Sequence, residues 1–232
     1  MPELSVVLPV FRTAEFVDDL YRRLAFTLET QAQSFELIFV NDACPEDSGR
    51  RIDQLAAFDS RVVAIHNPVN LGQRRSVMKG LAASRGAVVI VMDADLQDEP
   101  ETIPVLLHVL RKGRAEAVFA GRRGRYQPRR RMLTSRLFRR LMRITMGVPA
   151  DAGSFVAITR RMADAILALP ATERPYMQAL IGATGLPVLS IPIERAQRPR
   201  GSSAYSDWAR FRFALSGLRA ALELRWMKWT AN

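Results

Sequence analysis

Ala87-Val88-Val89-Ile90-Val91-Met92-Asp93-Ala94-Asp95-Leu96-Gln97-Asp98-Glu99-Pro100 is the stretch that decides how this chain is read. Its first six residues are apolar without interruption and mostly β-branched, which predicts a short strand buried on both faces. The run stops at two carboxylates spaced i, i+2. Open α/β sheets bind their ligands at the carboxyl ends of strands. Hard divalent cations take oxygen ligands, and Mg²⁺ is commonly held by one or two carboxylates plus substrate phosphates. Asp93 and Asp95 are therefore candidate ligands in a metal–nucleotide site. The same acidic residues also suit the first turn of a helix, where they oppose the macrodipole. Asp-x-Asp alone leaves both readings open.

Upstream, short apolar runs alternate with amphipathic ones. Leu4 to Val10 reads as a first strand, closing near Pro9, which has no N–H to give a ladder. Ala14 to Gln31 reads as a helix with Phe16, Leu20, Leu24 and Leu28 along one side. Strands follow at 35–40 and 62–65, and helices at 46–58 (Ile52, Leu55 and Phe58 on one face) and 73–84, with Gly86 as a helix stop. A helix over 101–111 and a strand over 117–120 come after the central stretch. This alternation predicts an α/β fold with a mainly parallel, helix-covered sheet. Asp42, Asn70, Asp93 and Asp95 all sit where strands end, so one sheet edge can gather them. No Gly-x-Gly-x-x-Gly follows the first strand and no Gly-Lys-Ser/Thr occurs, which argues against the usual dinucleotide fold and against a P-loop enzyme.

The 232 residues suit one large domain, or one domain with an appendage. Apolar residues make up 48% and charged residues 25%, an ordinary globular balance. The single cysteine, Cys44, excludes an internal disulfide framework and suits a reducing compartment; it reads as a small loop residue, not a nucleophile. Met1-Pro2-Glu3 leads straight into a strand, so no signal peptide is expected, and no apolar run is long enough to span a bilayer.

The net charge of +11 is concentrated. Between Glu116 and Asp151 there is no acidic residue and there are ten arginines, so the rest of the chain is close to neutral. A local basic device calls for an anionic partner such as phosphate, nucleic acid or an anionic membrane face. Within it, 131–146 reads as a basic amphipathic helix able to lie on an anionic membrane surface. Strand-like Val156-Ala157-Ile158, helices at 160–169 and 174–184, and an edge strand at 188–193 marked by Pro192 come next. After a polar, arginine-bearing loop, residues 207–229 read as a second amphipathic helix, with Trp208, Phe211, Leu215, Leu218, Leu222, Trp226 and Trp229 at three-four spacing. Tryptophan beside Arg and Lys suits a membrane interface; packing on the body or on a second subunit explains the stripe equally well, so a homo-oligomer stays open.

Four motifs in order, Ser5-Val6-Val7-Leu8-Pro9-Val10, Phe39-Val40-Asn41-Asp42, Asn70-Leu71-Gly72 and Asp93-Ala94-Asp95-Leu96-Gln97-Asp98, resemble family 2 of the inverting glycosyltransferases, whose fold is GT-A. Asp151-Ala152-Gly153-Ser154-Phe155 and Arg195-x-x-Arg198-x-x-Gly201-x-Ser203-Ala204-Tyr205 resemble the polyprenyl-phosphate subgroup of the dolichyl-phosphate mannose synthase kind. Two departures stand out: Ala204 replaces the subgroup's usual lysine, and Asn41 replaces the first aspartate of many members. The resemblance spans roughly residues 4 to 205 and implies a catalytic domain over 1–206, with a nucleotide-sugar half at 1–120, an acceptor half at 121–206, and an appended helix at 207–232.

The resemblance further implies transfer of a sugar from a UDP-, GDP- or dTDP-sugar to polyprenyl phosphate, with inversion. Pro9, Asp42, Asn70 and Gly72 would line the donor with Arg198 and Ser203 of the closing loop. Asp93, Asp95 and Gln97 would hold Mg²⁺ or Mn²⁺. Arg122, Arg131, Ser135 and Arg195 would receive the acceptor phosphate, and Asp151 would orient the reacting centre or the sugar. No conspicuous histidine pair is needed, because a lipid phosphate is already anionic near neutral pH; His66 and His108 read as ordinary strand-end and helix residues. The implied location is cytoplasmic, peripheral at the inner face of the cytoplasmic membrane. Three other readings compete. A family member acting on a saccharide or other hydroxyl would need a carboxylate base. A nucleotidyltransferase on a similar sheet would release pyrophosphate. A non-enzymatic RNA- or membrane-binding module would leave Asp42, Asp93 and Asp95 unexplained, so nucleic acid is not the expected partner.

Overall fold

The computed structural model describes residues 1–32, 34–123, 147–149, 151–170 and 177–194. One seven-stranded sheet runs in the order β3-β2-β1-β4-β6-β5-β7. Its strands are β1 (Leu4–Val10), β2 (Phe35–Asn41), β3 (Val62–His66), β4 (Val88–Val91), β5 (Ala117–Arg123), β6 (Val156–Thr159) and β7 (Val188–Glu194). The described helices are α1 (Val17–Glu29), α2 (Ser48–Phe58), α3 (Gln73–Ala83), α4 (Ile103–Arg111), α5 (Arg160–Leu167) and α6 (Met177–Thr184), and 3₁₀ turns precede α1 and α4. The expected α/β sheet is present and mostly parallel. β6 is the exception: it runs antiparallel to both β4 and β5 and so separates them.

Alternation along the strands divides the apolar residues between two layers. On one face, Val6, Leu8, Leu37 and Phe39 pack with Leu20, Leu24 and Leu28 of α1, Ile52 of α2 and Leu106 and Leu107 of α4. On the other, Val7, Ile38, Val40 and Val91 pack with Val77 and Leu81 of α3, Met162 and Ile166 of α5 and Leu180 and Ile181 of α6. Both prolines behave as strand chemistry requires. Pairing of β4 with β1 ends at Val7, before Pro9, and Pro192 lies on β7 at the edge of the sheet.

Two expectations need correction. Phe58 does not share the inward face of α2; it is 84% exposed, because six residues on from Ile52 the helix has turned well away from the core. Gly86 is not a helix stop. Helix α3 already ends at Ala83, with Ser84 extended behind it. Gly86 instead allows a close backbone approach: a Cβ there would lie 2.6 Å from the Ser5 nitrogen. The contact belongs to a polar cluster at the amino ends of the strands. Ser5 Oγ donates to Glu36 Oε1 at 2.7 Å and accepts from Gly86 N–H at 2.7 Å. The Arg85 backbone N–H and guanidinium donate to the Glu36 carboxylate, and the Arg160 guanidinium donates to the Gly86 carbonyl. Burial alone would push the Glu36 carboxyl up, but the hydrogen bonds from Ser5 and Arg85 and the arginine charge hold it below the usual range.

A second anchor joins α1, α2 and β3. Asp59 caps the end of α2 and accepts from the Arg61 guanidinium and backbone N–H and from the Tyr21 hydroxyl. Its carboxyl is pulled from 3.8 to about 2, chiefly by the Arg61 hydrogen bonds.

The two amphipathic helices expected at 131–146 and 207–229 lie outside the described residues. No described helix is long and apolar enough to cross a membrane.

These contacts have measurable consequences. Gly86→Ala should destabilise the fold by about 1–3 kcal/mol, the range for forcing extra carbon into a packed interior, as read from urea unfolding. The depressed Asp59 carboxyl contributes stability that is complete above pH 3.8 and is lost as pH falls through about 2. The melting temperature of Asp59→Asn should accordingly fall less between pH 4 and pH 2 than that of the unaltered protein.

Candidate active site

Because β1, β2 and β4 are parallel neighbours, the loops leaving their carboxyl ends share one edge. Each loop carries a non-glycine residue in the left-handed region: Arg12 at φ 55°, Ala43 at φ 50° and Leu96 at φ 57°. These are the only such residues among those described. Such conformations cost of order 1–3 kcal/mol each and persist where the surroundings over-determine them, commonly at functional sites. Nothing in the residue types Arg, Ala and Leu announces this in the sequence.

Asp42, just past the end of β2, is 2% exposed. Its Oδ1 accepts from Asn67 Nδ2 and from Leu71 N–H, both at 2.8 Å, and its Oδ2 accepts from Gly72 N–H at 2.8 Å. Its carbonyl accepts from Asn70 Nδ2 at 3.3 Å. The carboxylate thus fixes the whole 67–72 loop. Asn67, itself buried, also donates to Ser76 Oγ and accepts from Lys79 Nζ at 2.7 Å, which ties the loop to α3. Gly72 has φ 85° and ψ 152°, a region open almost only to glycine. Beside Asp42, Asn41 Oδ1 accepts from Cys44 N–H. Asn41 Nδ2 faces His66 Nδ1 at 3.2 Å, and His66 Nε2 faces Asp53 Oδ1 at 2.9 Å. This network assigns the tautomer with Nε2–H donating to Asp53. His66 is therefore part of the support beneath the β2 loop. Cys44 Sγ accepts from Arg12 N–H and from Ser48 Oγ, joining the β1 and β2 loops as a packing residue.

Asp93 and Asp95 follow β4. Asp93 Oδ1 accepts from Gln73 Nε2, on the first residue of α3, and Asp93 Oδ2 accepts from Ser154 Oγ at 2.7 Å. Asp95, 9% exposed, accepts from the Gln97 backbone N–H at 3.1 Å. Ser154 reaches this edge because β6 is antiparallel, so the start of that strand lies beside the end of β4. Asp151 precedes Ser154 and is half-buried. It lies over Gly121 of β5, where a Cβ would come within 2.2 Å of Asp151 Oδ2 and 2.4 Å of Ser190 Oγ. Ser190 Oγ is buried with no hydrogen-bond partner among the described residues.

The sequence-derived candidates Asp42, Asn70, Gly72, Asp93, Asp95, Gln97 and Asp151 thus lie along one edge. Pro9, near the end of β1, and the backbone of Arg122, near the end of β5, lie there too. Arg131, Ser135, Arg195, Arg198 and Ser203 lie outside the described residues. Sequence reasoning missed Gln73, Asn67, Lys79 and Ser190. It placed Ser154 in a motif without a task. Asn67 follows the end of β3 and Gln73 follows Gly72, which is a positional signal; Lys79, inside α3, and Ser190, inside β7, carry none.

Residues 5–167 match the family model described as Glycosyl transferase family 2. The chain is 28% identical over 231 residues to a protein of Synechocystis named uncharacterized glycosyltransferase sll0501, covering 98% of this chain and 72% of that protein. It is 33% identical over 207 residues to undecaprenyl-phosphate 4-deoxy-4-formamido-L-arabinose transferase of Pseudomonas fluorescens, covering 88% of this chain and 60% of that one. Two solved structures share the fold. The mannosyltransferase PcManGT of Pyrobaculum calidifontis, in complex with GDP-Man and Mn²⁺, superposes with a TM-score of 0.69 at 14% identity, over 96% of this chain and 64% of that one. Glucosyl-3-phosphoglycerate synthase of Mycobacterium tuberculosis, with Mn²⁺, UDP and glucosyl-3-phosphoglycerate, superposes at 0.66 and 18%, over 97% and 80%.

A Cβ at Gly72 would meet nothing within 4 Å, so a substitution there tests backbone conformation alone. Gly72→Ala should lower unfolding free energy by about 1–3 kcal/mol without opening a cavity. Denaturant titration reads the loss as a shifted midpoint at unchanged slope.

Proposed function

The chain belongs to glycosyl transferase family 2, and from that premise we propose that it transfers a sugar from a nucleotide-sugar donor to a polyprenyl phosphate, with inversion at the anomeric carbon and dependence on a divalent metal. The observation that carries this reading is the Ser154–Asp93 hydrogen bond. It joins the Asp151-x-Gly-x-Phe motif of the polyprenyl-phosphate subgroup to the Asp-x-Asp pair. Similarity to an undecaprenyl-phosphate sugar transferase supports the acceptor class, and structural neighbours solved with Mn²⁺ and nucleotides support the donor and metal classes.

The residues present fit a hard divalent cation. Two carboxylates stand two residues apart just past a strand end, and carboxylate oxygen is the ligand type such a cation takes. An ion of this kind takes its remaining ligands from substrate phosphate and water. Asp93, Asp95 and Gln97 would hold Mg²⁺ or Mn²⁺, which supplies charge neutralisation for the departing nucleoside diphosphate. Asp42 and the 67–72 loop form the nucleoside end, with Pro9, Asn70 and Gly72 along its wall. Asp151 and Ser190 present an acceptor and a hydroxyl to the sugar. Arg122, Arg131, Ser135 and Arg195 draw in the acceptor phosphate, while Arg198 and Ser203 close over the donor. A phosphate nucleophile is anionic already, so guanidinium groups that bring two anions together matter more than a strong base. The ten-arginine segment and the terminal Trp/Arg stripe suit a protein lying on the inner face of an anionic membrane.

One observation favours a second reading. The Asp151 carboxylate is half-buried, and such a group is available as a general base for a hydroxyl acceptor on a saccharide.

A transfer assay with polyprenyl phosphate, UDP-, GDP- and dTDP-sugars, and Mg²⁺ or Mn²⁺ separates the two. Organic-phase product should form, vanish with chelator, and fall about 10²-fold or more in Asp95→Asn, the loss typical when transition-state charge stabilisation is removed. Arg131→Ala should depress transfer to lipid phosphate far more than transfer to any hydroxyl acceptor. Metal-dependent donor binding with no organic-phase product moves the acceptor to a hydroxyl compound.

A further inference from the structure

Asp42 and Asp93 follow different strands of the sheet, β2 and β4, and the shortest covalent route between their hydrogen-bond partners is a single peptide bond. Asp42 Oδ2 accepts from Gly72 N–H. The next residue, Gln73, donates from its side chain to Asp93 Oδ1. We propose that Gln73 is a positioning residue for the metal-binding carboxylate, and that Asp42 sets the orientation of Asp93 through it. The proposal rests on the metal–nucleotide reading of the site given above.

Three features support a positioning role over incidental surface contact. Gln73 is an exposed side chain on the first residue of α3, and an exposed glutamine gains little from folding inward unless its amide finds a fixed acceptor. Its backbone is held on both sides. Gly72 before it is pinned to Asp42 in a conformation reserved for glycine. After it, Ser76 N–H donates to the Gly72 carbonyl as the first turn of α3 closes, and Ser76 Oγ meets Asn67. Finally, Gln73 and Ser154 hold opposite oxygens of Asp93 from two separate elements, which fixes the plane of the carboxylate. Outer hydrogen-bond partners orient metal ligands in this way, and their loss typically costs 10–100-fold in metal affinity.

The test needs a probe with no nucleoside, so that Asp42 cannot act by touching a base or ribose. Mn²⁺ with inorganic pyrophosphate serves, with bound metal read from the loss of the free-Mn²⁺ electron paramagnetic resonance signal. Gln73→Met keeps length and removes the donor. It should weaken Mn²⁺ binding by about 10–100-fold while leaving the melting temperature unchanged. Asp42→Asn should also weaken Mn²⁺ binding, and the double variant should bind no worse than Gln73→Met alone, since coupled sites fail additivity. Additive losses, or a Gln73→Met variant with unaltered Mn²⁺ affinity, overturn the proposal. So does a Gln73→Met loss accompanied by an equal fall in nucleoside binding measured with chelator, which would make the residue merely a loop support. If the unaltered protein takes up no Mn²⁺ with pyrophosphate or with any nucleoside diphosphate, the metal reading itself fails and this proposal falls with it. Metal uptake by the unaltered protein with no effect of the variants overturns the proposal alone.

Discussion

A carboxylate removed from water persists in a fold only when its oxygens are answered by donors. Asp42 meets that condition with two backbone N–H groups and one side-chain amide. The candidate site depends on this arrangement. The loop it gathers has no strand or helix of its own to satisfy its backbone, and the glycine conformation at its end is unfavourable without a fixed partner. With Asp42 in place, α3 starts where Gln73 can meet Asp93, and Lys79 on the same helix reaches back to Asn67. An acidic residue that a sequence reading assigns to ligand contact is thus equally a structural keystone for the ligand-binding edge.

The opposite edge of the sheet shows the same economy in different chemistry. Ser5, Glu36, Arg85 and Arg160 close the amino ends of the strands, where no ligand is expected. There the polar groups satisfy one another and no described non-glycine residue holds a left-handed conformation. Among the described residues, the carboxyl edge keeps three left-handed non-glycine residues and a buried Ser190 hydroxyl without a hydrogen-bond partner. The contrast between a self-satisfied edge and a strained, incompletely paired one is a physical mark of where the chemistry lies.

Much of this was legible in the sequence, for identifiable reasons. Buried parallel strands announce themselves by unbroken apolar runs, so β1, β2 and β4 could be read directly, with the acidic residues that follow β2 and β4. Asp93, Asp95 and Asp151 were found because they stand in motifs. What stayed hidden depends on partners distant in the chain. Gln73 looks like any helix-start glutamine until Asp93 is placed opposite it. Gly86 looks like a helix terminator until Ser5 is brought against it. Ser190 carries no motif at all. The place of β6 was also illegible: periodicity identifies a strand but not its direction, and a short apolar run such as Val156-Ala157-Ile158 reads the same way in either.

That direction has a consequence for how the molecule comes to exist. The first four strands emerge from the ribosome as a parallel set, with β4 at the border and its outer hydrogen-bonding groups unanswered. The next strand made, β5, cannot answer them, since its place is one position further out. The border closes only when Val156–Thr159 arrives and slots between the two, bringing Ser154 to Asp93 in the same movement. The nascent chain therefore carries an open strand edge, an invitation to pair with other chains, through the synthesis of the whole arginine-rich segment. Closure of the β4 border and delivery of Ser154 to Asp93 are one event, and β7 joins the outer side of β5 afterwards.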